Sequence, residues 1–176
     1  MGKTTVVEKL VSTMAGAKLV TFGTVMFEEA RKRKWVSRRD DLRKLPVRRQ
    51  KALQGIAATK ISRMKEPVVL VDTHLVVRTP EGFWPGLPFE VVRALKPTHL
   101  VLVEASPDEI LSRRTTDKLR YRDDVSSEGL AEEKALARSF LAVSSTLTGA
   151  PMLIVSNSEG KADKVALDIA RVLEKA

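Results

Sequence analysis

Residues 1–5 read Met-Gly-Lys-Thr-Thr and lead directly into an amphipathic stretch. They match the last part of the phosphate-binding pattern G-x-x-x-x-G-K-[ST]. In that pattern glycine permits close backbone approach, lysine reaches the β- and γ-phosphates, the hydroxyl holds Mg²⁺, and helix N-terminal amides face the phosphate. The stretch therefore predicts a nucleotide site at the start of a helix, with Lys3 as a catalytic cation and Thr4 as a metal ligand. The residues predicted to bind ATP here are Gly2, Lys3, Thr4 and Thr5.

The sequence before this motif is shorter than the pattern requires, because a strand and Gly-x-x-x-x should precede Gly-Lys. We expect Met1 to be an internal residue of the loop, with the start codon assigned too late and roughly a dozen upstream residues encoding the missing strand. An in-frame strand followed by Gly-x-x-Gly in the upstream DNA would confirm this expectation. A stop codon directly before Met1 would contradict it.

Short apolar, β-branched runs recur along the chain, with helical patterns between them. Such runs suit strands buried on both faces of a parallel sheet, so the alternation predicts an α/β fold with right-handed crossovers. The predicted strands are 18–22, 67–71, 99–103 and 152–155. The predicted helices are 4–14, 23–32, 46–64, 106 to about 114, 127–147 and 161–175. The stretches 80–88 and 117–128 are predicted to be loops, and ligands of such folds bind where loops leave the carboxyl ends of strands.

Composition limits both the fold and the chemistry. The 176 residues, 43% of them hydrophobic, suffice for one domain with a buried core. The absence of cysteine and the two separated histidines argue against disulfides, thiolate chemistry and a zinc site, so any metal is a hard cation held by oxygen. No apolar run approaches the roughly 20 residues of a membrane span, which predicts a cytoplasmic protein. The formal charge of +9 suits an anionic partner, and an aromatic content of 5% favours a phosphate binder over a base-stacking RNA module.

Further motifs occur in a fixed order along the chain. They are residues 21–28 (TFGTVMFE), 38–45 (RRDDLRKL), 71–74 (VDTH), 78–80 (RTP) and 85–88 (PGLP). Together with the N-terminal motif, they closely resemble the adenylate kinases of archaeal type, and the resemblance runs over essentially the whole chain. It implies a P-loop NTPase-type three-layer fold, with a parallel sheet flanked by helices and a single kinase domain over residues 1–176.

The resemblance assigns the acceptor site to the first half of the chain. It implies that residues 23–65 form an AMP-binding lobe and that Asp72, at the end of its strand, lies near Mg²⁺. Longer bacterial-type relatives carry an arginine a few residues after the glycine of this site, where Phe27 and Glu28 stand here. Arg39 or Arg43 therefore has to replace it, and which of the two grips AMP stays open. The residues implied to bind AMP are Gly23, Thr24, Arg39, Arg43 and Arg78.

Arginines around a short lid complete the implied site. The lid spans about 115–127, and its closure would exclude water so that the phosphate passes to AMP instead of being hydrolysed. Arginine suits this role because its planar fork of donors matches phosphate oxygens. The arginines implied to be catalytic are Arg120, Arg122 and Arg138. The residues implied to contact ATP in this half are Arg113 and Asn157.

The resemblance implies reversible transfer of the terminal phosphate of Mg·ATP to AMP, giving two ADP. The implied partners are ATP, AMP and ADP, with Mg²⁺ as cofactor, no membrane or nucleic acid required, and a monomer or homotrimer. The strand missing before Gly2 is the central strand of the family's sheet. Its loss would expose two strand edges at a cost above the roughly 5 to 15 kcal/mol of a domain's net stability. We therefore expect the 176-residue chain to be inactive or unstable unless oligomer contacts or upstream residues compensate.

Other interpretations of the same residues stay open. A kinase for CMP, UMP or another small acceptor would share everything except the acceptor contacts. A basic RNA-associated ATPase or assembly factor would use the +9 charge on nucleic acid. A degenerate, non-catalytic nucleotide-binding fold is a third interpretation. Among single residues, Asp40 and Asp41 are interpreted as surface or structural carboxylates, and His74 as a structural neighbour of the site instead of a proton shuttle.

Overall fold

The computed structural model describes residues 3–79, 82–106, 109 and 127–174. In these residues, parallel strands alternate with helices, which confirms the predicted α/β class. The strands are β1 (Ala17–Thr21), β2 (Val68–Asp72), β3 (Val76–Thr79), β4 (Gly82–Pro85), β5 (Leu100–Glu104) and β6 (Met152–Ser156). The helices are α1 (Lys3–Thr13), α2 (Phe22–Lys32), a 3₁₀ helix (Arg39–Lys44), α3 (Val47–Ser62), α4 (Phe89–Leu95), α5 (Ser127–Thr148) and α6 (Ala162–Leu173). Within the described ranges, no helix combines the length and apolar character that crossing a membrane requires.

The prediction of a loop over 80–88 is wrong for part of that stretch. β3 and β4 form an antiparallel hairpin in which Arg78 stands opposite Phe83. The strands are only four residues long and β4 contains both glycine and proline, so the periodicity of the sequence does not reveal them. The predicted loop over 117–128 lies outside the described residues except for its last two, which begin α5.

The parallel sheet consists of two separate pairs of strands. β1 pairs with β2 from Ala17 opposite Val68 to Thr21 opposite Asp72, and β5 pairs with β6. In the part of the chain that the structure describes, no strand pairs with the other edge of β2 or of β5. A cavity of about 1110 Å³ lies between these two inner strands.

One layer of helices joins the two halves of the sheet. Leu70 of β2 and Val103 of β5 pack in the same apolar cluster as Val6 of α1 and Ile169 of α6. Val6 is 0% exposed and Ile169 is 1% exposed. Burying a side chain of this size contributes about 1.5–3 kcal/mol. The contact between α1 and α6 therefore holds the two halves at a defined spacing.

On the opposite face, each half of the sheet has its own core. Val69 and Val71 of β2 pack with Ala57 of α3 and Val92 of α4. In the other half, Leu100, Leu141 and Ala150 form a separate cluster that joins β5 to α5. Successive residues of β2 thus face different helix layers, which is why the strand is apolar at consecutive positions.

The helices α2 and α3 and the 3₁₀ helix form a lobe, the α2–α3 lobe, with a small core of its own. Glu29 of α2 is buried in this lobe and forms ion pairs with Lys60 of α3 and with Arg33. Hydrogen bonds from Lys60 and Arg33 lower the pKa of Glu29 from 4.5 to about 2, although burial acts in the opposite direction. The ionised carboxylate therefore ties α2 to α3. The apolar core residues of the lobe are Ala30, Val36, Leu45 and Leu53.

The turn after β4 lies tightly against the segment that follows β2. A β-carbon on Gly86 would stand 1.9 Å from the carbonyl oxygen of His74, so only glycine fits there. The amide of Gly86 donates to the carbonyl of Leu75 at 2.8 Å. The buried side chain of Gln54, from α3, donates to the carbonyl of Gly86 at 3.3 Å. These contacts fix the segment directly after Asp72.

Candidate functional site

The parallel strands end at one edge of the fold, which we call the carboxyl edge. Thr21 and Asp72 are paired at the ends of β1 and β2, and Glu104 and Ser156 are paired at the ends of β5 and β6. The first residue of α1, Lys3, lies at the same edge, beside Asp72. Because ligands of open parallel sheets bind outside the carboxyl ends of the strands, this edge is the candidate site.

Lys3 and Asp72 form an ion pair at the carboxyl edge, with 2.7 Å between Nζ and Oδ1. The ammonium of Lys3 also donates to the carbonyl oxygen of Thr73. The two side chains are 22% and 15% exposed, so the pair is partly shielded from water. Thr4 and Thr5 are exposed in the first turn of α1, where helix amides have no partner within the helix. The predicted cation, hydroxyls and carboxylate therefore lie at one corner of the site.

Gly23 and Arg39, both predicted to bind the monophosphate, lie against each other. A β-carbon on Gly23 would stand 3.2 Å from Nη2 of Arg39. Gly23 and Thr24 belong to the first turn of α2, and Arg39 and Arg43 are exposed on the 3₁₀ helix. The amides of a helix N-terminus and two guanidinium groups favour the binding of an anion. The structure thus joins these four predicted residues in a second cationic corner.

His74 connects the two corners electrostatically. His74 keeps an exposed surface, and its pKa is lowered from 6.5 to about 4, first because neighbouring chain segments partly desolvate the ring and so disfavour its charged form. The positive charge of Lys3 lowers the pKa further, whereas the carboxylate of Asp72 raises it. Arg43 and Arg39 also lower it, which means that their charges act on the same ring. The imidazole is therefore neutral at pH 7.

Arg78, predicted to bind the AMP phosphate, lies on β3 with contacts of its own. Its guanidinium carbon is 4.6 Å from the ring centre of Phe83, its partner across the hairpin. Its Nη2 donates to the carbonyl of Gly129 in α5 at 3.4 Å. Its Nε is buried and finds no hydrogen-bond partner within the described residues. The hairpin and α5 thus orient this arginine, and an unused donor remains on it.

Arg138, predicted to be catalytic, is held by a buried carboxylate. Its Nε and Nη2 donate to Oε1 and Oε2 of Glu104, each at 2.7 Å. Lys134, one turn earlier in α5, lies 3.1 Å from Oε2. Hydrogen bonding from Arg138 is the main cause of the lowered pKa of Glu104, Lys134 adds to it, and burial acts against it. The sequence alone does not single out Glu104, and the only signal is a carboxylate directly after an apolar strand run.

Asn157, predicted to contact ATP, follows β6 at the same edge. Its backbone amide donates to the carbonyl of Glu104 at 2.8 Å, and the residue is buried. A turn follows in which the amide of Lys161 donates to the carbonyl of Ser158 at 3.1 Å. The loop after β6 is therefore anchored to the end of β5.

Part of the predicted site lies outside the described residues. This applies to the lid at about 115–127, apart from Ser127, which begins α5. The individual site residues concerned are Gly2, Arg113, Arg120 and Arg122. Their assignments stay predictions.

The donor atoms near Lys3 fit a hard cation. The carboxylate of Asp72 and the hydroxyl of Thr4 are oxygen donors, and Mg²⁺ is usually held by one or two carboxylates together with phosphate and water oxygens. Across the described ranges, no three His, Asp or Glu side chains gather around one point. Ligand and water oxygens would therefore have to supply most of the coordination shell.

Known proteins resemble this chain over nearly its whole length. The family model of the AAA domain matches residues 1–131. The chain is 44% identical over 173 residues to the adenylate kinase of Thermoplasma acidophilum, an alignment that covers 98% of this chain and 93% of that protein. It is 42% identical over 179 residues to the adenylate kinase of Methanocaldococcus jannaschii, an alignment that covers 99% of this chain and 93% of that protein. It is 40% identical over 179 residues to the adenylate kinase of Pyrococcus furiosus, and this alignment covers 100% of this chain and 91% of that protein.

Proposed function

The chain belongs to the adenylate kinase family, and on that premise we propose that it catalyses the reversible transfer of the terminal phosphate of Mg·ATP to AMP, giving two ADP. The observation that supports this most directly is the presence of two cationic corners at one carboxyl edge, Lys3 with Asp72 and Arg39 against Gly23. Transfer between two nucleotides brings several phosphate charges together and needs little covalent chemistry from the protein. Positively charged groups in fixed positions are therefore the main requirement.

In this proposal ATP binds at the start of α1. The ammonium of Lys3 leaves the carbonyl of Thr73 to bind the β- and γ-phosphates, and the amides of the first helical turn face the same oxygens. Asn157 lies in the loop around the adenine. Thr4 and Asp72 would hold Mg²⁺ in this proposal, and the cation would neutralise the negative charge that develops on the phosphate oxygens.

The AMP phosphate binds between α2 and the 3₁₀ helix. Gly23 and Thr24 offer backbone amides at the start of α2, and Arg39 and Arg43 offer guanidinium groups from the facing side. Arg78, whose Nε has no other hydrogen-bond partner within the described residues, supplies a further donor. The acceptor is a phosphate oxygen that is already ionised, so the reaction needs no strong base. A neutral His74 is consistent with that requirement.

The remaining arginines bind the phosphate that is transferred in this proposal. Arg138 reaches the edge from α5, and Arg120 and Arg122 of the lid are proposed to close over the bound nucleotides. Closure excludes water, which would otherwise compete with AMP for the phosphate.

The proposal is tested by coupled assays of ADP formation with AMP, CMP, UMP and GMP as acceptors. We expect ADP formation to depend on AMP and to be fastest with AMP. Calorimetric titration with AMP should accompany the assay, because binding at the α2–α3 lobe is a readout separate from turnover. ATP hydrolysis that AMP does not stimulate, together with strongly salt-dependent RNA binding, would contradict the proposal.

Substitution of Arg39 and of Arg43 by Met tests the acceptor corner and decides between the two. We expect the variant of the arginine that grips AMP to raise the Kd for AMP about 10- to 100-fold, since a hydrogen bond to a charged group contributes about 1.5–3 kcal/mol. Arg171→Met is the matched control, because Arg171 is an exposed arginine that pairs with Asp168 on α6. Unchanged AMP binding in both Arg39→Met and Arg43→Met would contradict the assignment.

A further inference from the structure

Glu104 is a carboxylate whose main chain and side chain are both fixed at the carboxyl edge. Its backbone is paired with Ser156 in the sheet, and its carbonyl accepts a hydrogen bond from Asn157. Its side chain is 6% exposed. A buried carboxylate is costly unless cations and hydrogen bonds satisfy it, so its partners identify its role.

Both oxygens of Glu104 are committed to cations from α5. Arg138 makes one hydrogen bond to each oxygen, at 2.7 Å, in the bidentate arrangement that also fixes the plane of the guanidinium. Lys134 adds an ion pair at 3.1 Å to Oε2. The carboxylate therefore has well-matched partners, and it determines the orientation of Arg138 as well as its distance from β5.

Arg138 itself retains donors for a second anion. A guanidinium carries five N–H groups, and two of them donate to Glu104. The side chain of Arg138 is 52% exposed, against 6% for its partner. One side of the planar fork is thus held by the end of a strand, while the other side is open at the carboxyl edge.

We propose that Glu104 is a positioning residue, which holds the guanidinium of Arg138 so that its remaining N–H groups face the phosphate being transferred. This inference rests on the proposed function, in which Arg138 contacts that phosphate. Glu104 does not touch the nucleotide and acts through Arg138. Its contribution lies in the geometry of the transition state, where a displacement of about 1 Å can cost about 100-fold in rate.

Two other roles of Glu104 would change turnover, nucleotide binding or stability in different ways, so kinetic and melting measurements distinguish them from positioning. If Glu104 were a substitute anion that phosphate has to displace, its removal would tighten nucleotide binding and raise turnover. If it only tied β5 to α5, its removal would lower the melting temperature, and any loss of turnover would not depend on Arg138. A positioning residue instead lowers kcat with little change in KM, and only while Arg138 is present.

A double-mutant cycle tests the proposal with Glu104→Gln, Arg138→Met and the double variant in the ADP-formation assay. We expect Arg138→Met to lower kcat about 100-fold and Glu104→Gln about tenfold, both with little change in KM. In the double variant, kcat should equal that of Arg138→Met within about twofold. An equal loss from Glu104→Gln in both backgrounds, or a gain in nucleotide affinity, would overturn the proposal.

Arg138→Lys is a second variant, and it keeps a cation at position 138 beside the carboxylate of Glu104. Lysine keeps the charge but lacks the fork, so we expect a loss of kcat similar to that of Glu104→Gln, and full turnover would overturn the proposal. The melting temperature of every variant, measured beside the kinetics, shows how much of a loss of turnover follows stability alone. AMP-independent turnover in the unmodified chain, or full turnover in Arg138→Met, would contradict the proposed function. Loss in Arg138→Met with full turnover in Glu104→Gln would overturn this inference alone.

Discussion

Two carboxylates occupy equivalent positions in the two halves of the sheet and have different partners. Asp72 ends β2 and Glu104 ends β5, and these are the strands that flank the cavity. The Oδ1 atom of Asp72 lies 2.7 Å from the Nζ atom of Lys3. Glu104 binds Arg138 through both oxygens and meets Lys134 as well.

The difference between these two pairs indicates how the site divides its tasks. Lysine is a point charge on a flexible stem, whereas the arginine fork fixes both an angle and a distance. In the proposed mechanism, Lys3 exchanges the oxygens of its own chain for those of a phosphate, and Asp72 then binds a hard cation or a water molecule of that cation. Glu104 has no such freedom. We infer that the β2 side of the site is adjustable and that the β5 side is fixed.

The largest expected effect is that of Lys3→Met, which removes the cation that pairs with Asp72. We expect kcat for ADP formation to fall about 100- to 1,000-fold, because one well-placed donor to a developing charge is worth that much. Lys9→Met is the matched control, since Lys9 also lies on α1 and pairs with an aspartate, Asp163, at the exposed surface. Steady-state kinetics at saturating ATP and AMP measure the difference. A similar loss in both variants would show that Lys3 has no special role.

Asp72→Asn should have a smaller effect that depends on the metal. We expect kcat to fall about tenfold or more, with a higher Mg²⁺ concentration needed for half-maximal turnover, because the amide is a poorer ligand for a hard cation. Asp163→Asn, the partner of Lys9, is the control. Titration of turnover with Mg²⁺ checks this prediction. An unchanged Mg²⁺ requirement would leave Asp72 only the role of pairing with Lys3 and would break the comparison with Glu104.

A substitution of Glu29 shows what the loss of a buried, ion-paired carboxylate does when that carboxylate lies away from the carboxyl edge. It is buried and ion-paired like Glu104, but it lies between α2 and α3. We expect Glu29→Gln to lower the free energy of unfolding by about 1–2 kcal/mol, less than a fully buried pair would, because Lys60 and Arg33 are partly exposed. Its kcat should stay within about twofold of the unmodified chain.

The stability lost in Glu29→Gln should depend on pH with a definite sign. The pKa of Glu29 in the folded chain is about 2, below its value of 4.5 in the absence of partners. The stabilisation is therefore complete above about pH 4.5 and is lost as the pH falls towards 2. Denaturant titrations of both proteins across this range measure it, and Glu66→Gln, in an exposed pair with Lys18, is the control. A difference that does not shrink with falling pH would contradict the ionic explanation.

The order of the main elements could be predicted because buried parallel strands consist of consecutive apolar residues. In β2, Leu70 faces α1 and α6 while Val69 and Val71 face α3 and α4, so each position has an apolar neighbour. The proximity of Lys3 and Asp72 also follows from the sequence, because both the helix start and the strand end belong to the carboxyl edge. Predicted and observed ends of these elements differ by two residues at most.

Contacts that depend on the path of the chain could not be predicted. Glu104 and Arg138 are 34 positions apart, and their contact requires that α5 return to the end of β5. A carboxylate after a strand could equally lie in solvent. The stacking of Arg78 on Phe83 requires the register of a hairpin whose short strands carry no clear periodicity.

The contact between α1 and α6 also determines how a force would pass through the molecule. A displacement of Asp72 relative to Glu104 is resisted by apolar side chains of α1 and α6, among them Val6 and Ala166, both 0% exposed. In the proposed mechanism, the helix contact between α1 and α6 sets the distance between Asp72 and Glu104 and so between the cations that they pair with, and we expect a methylene added at Ala166 to change that distance.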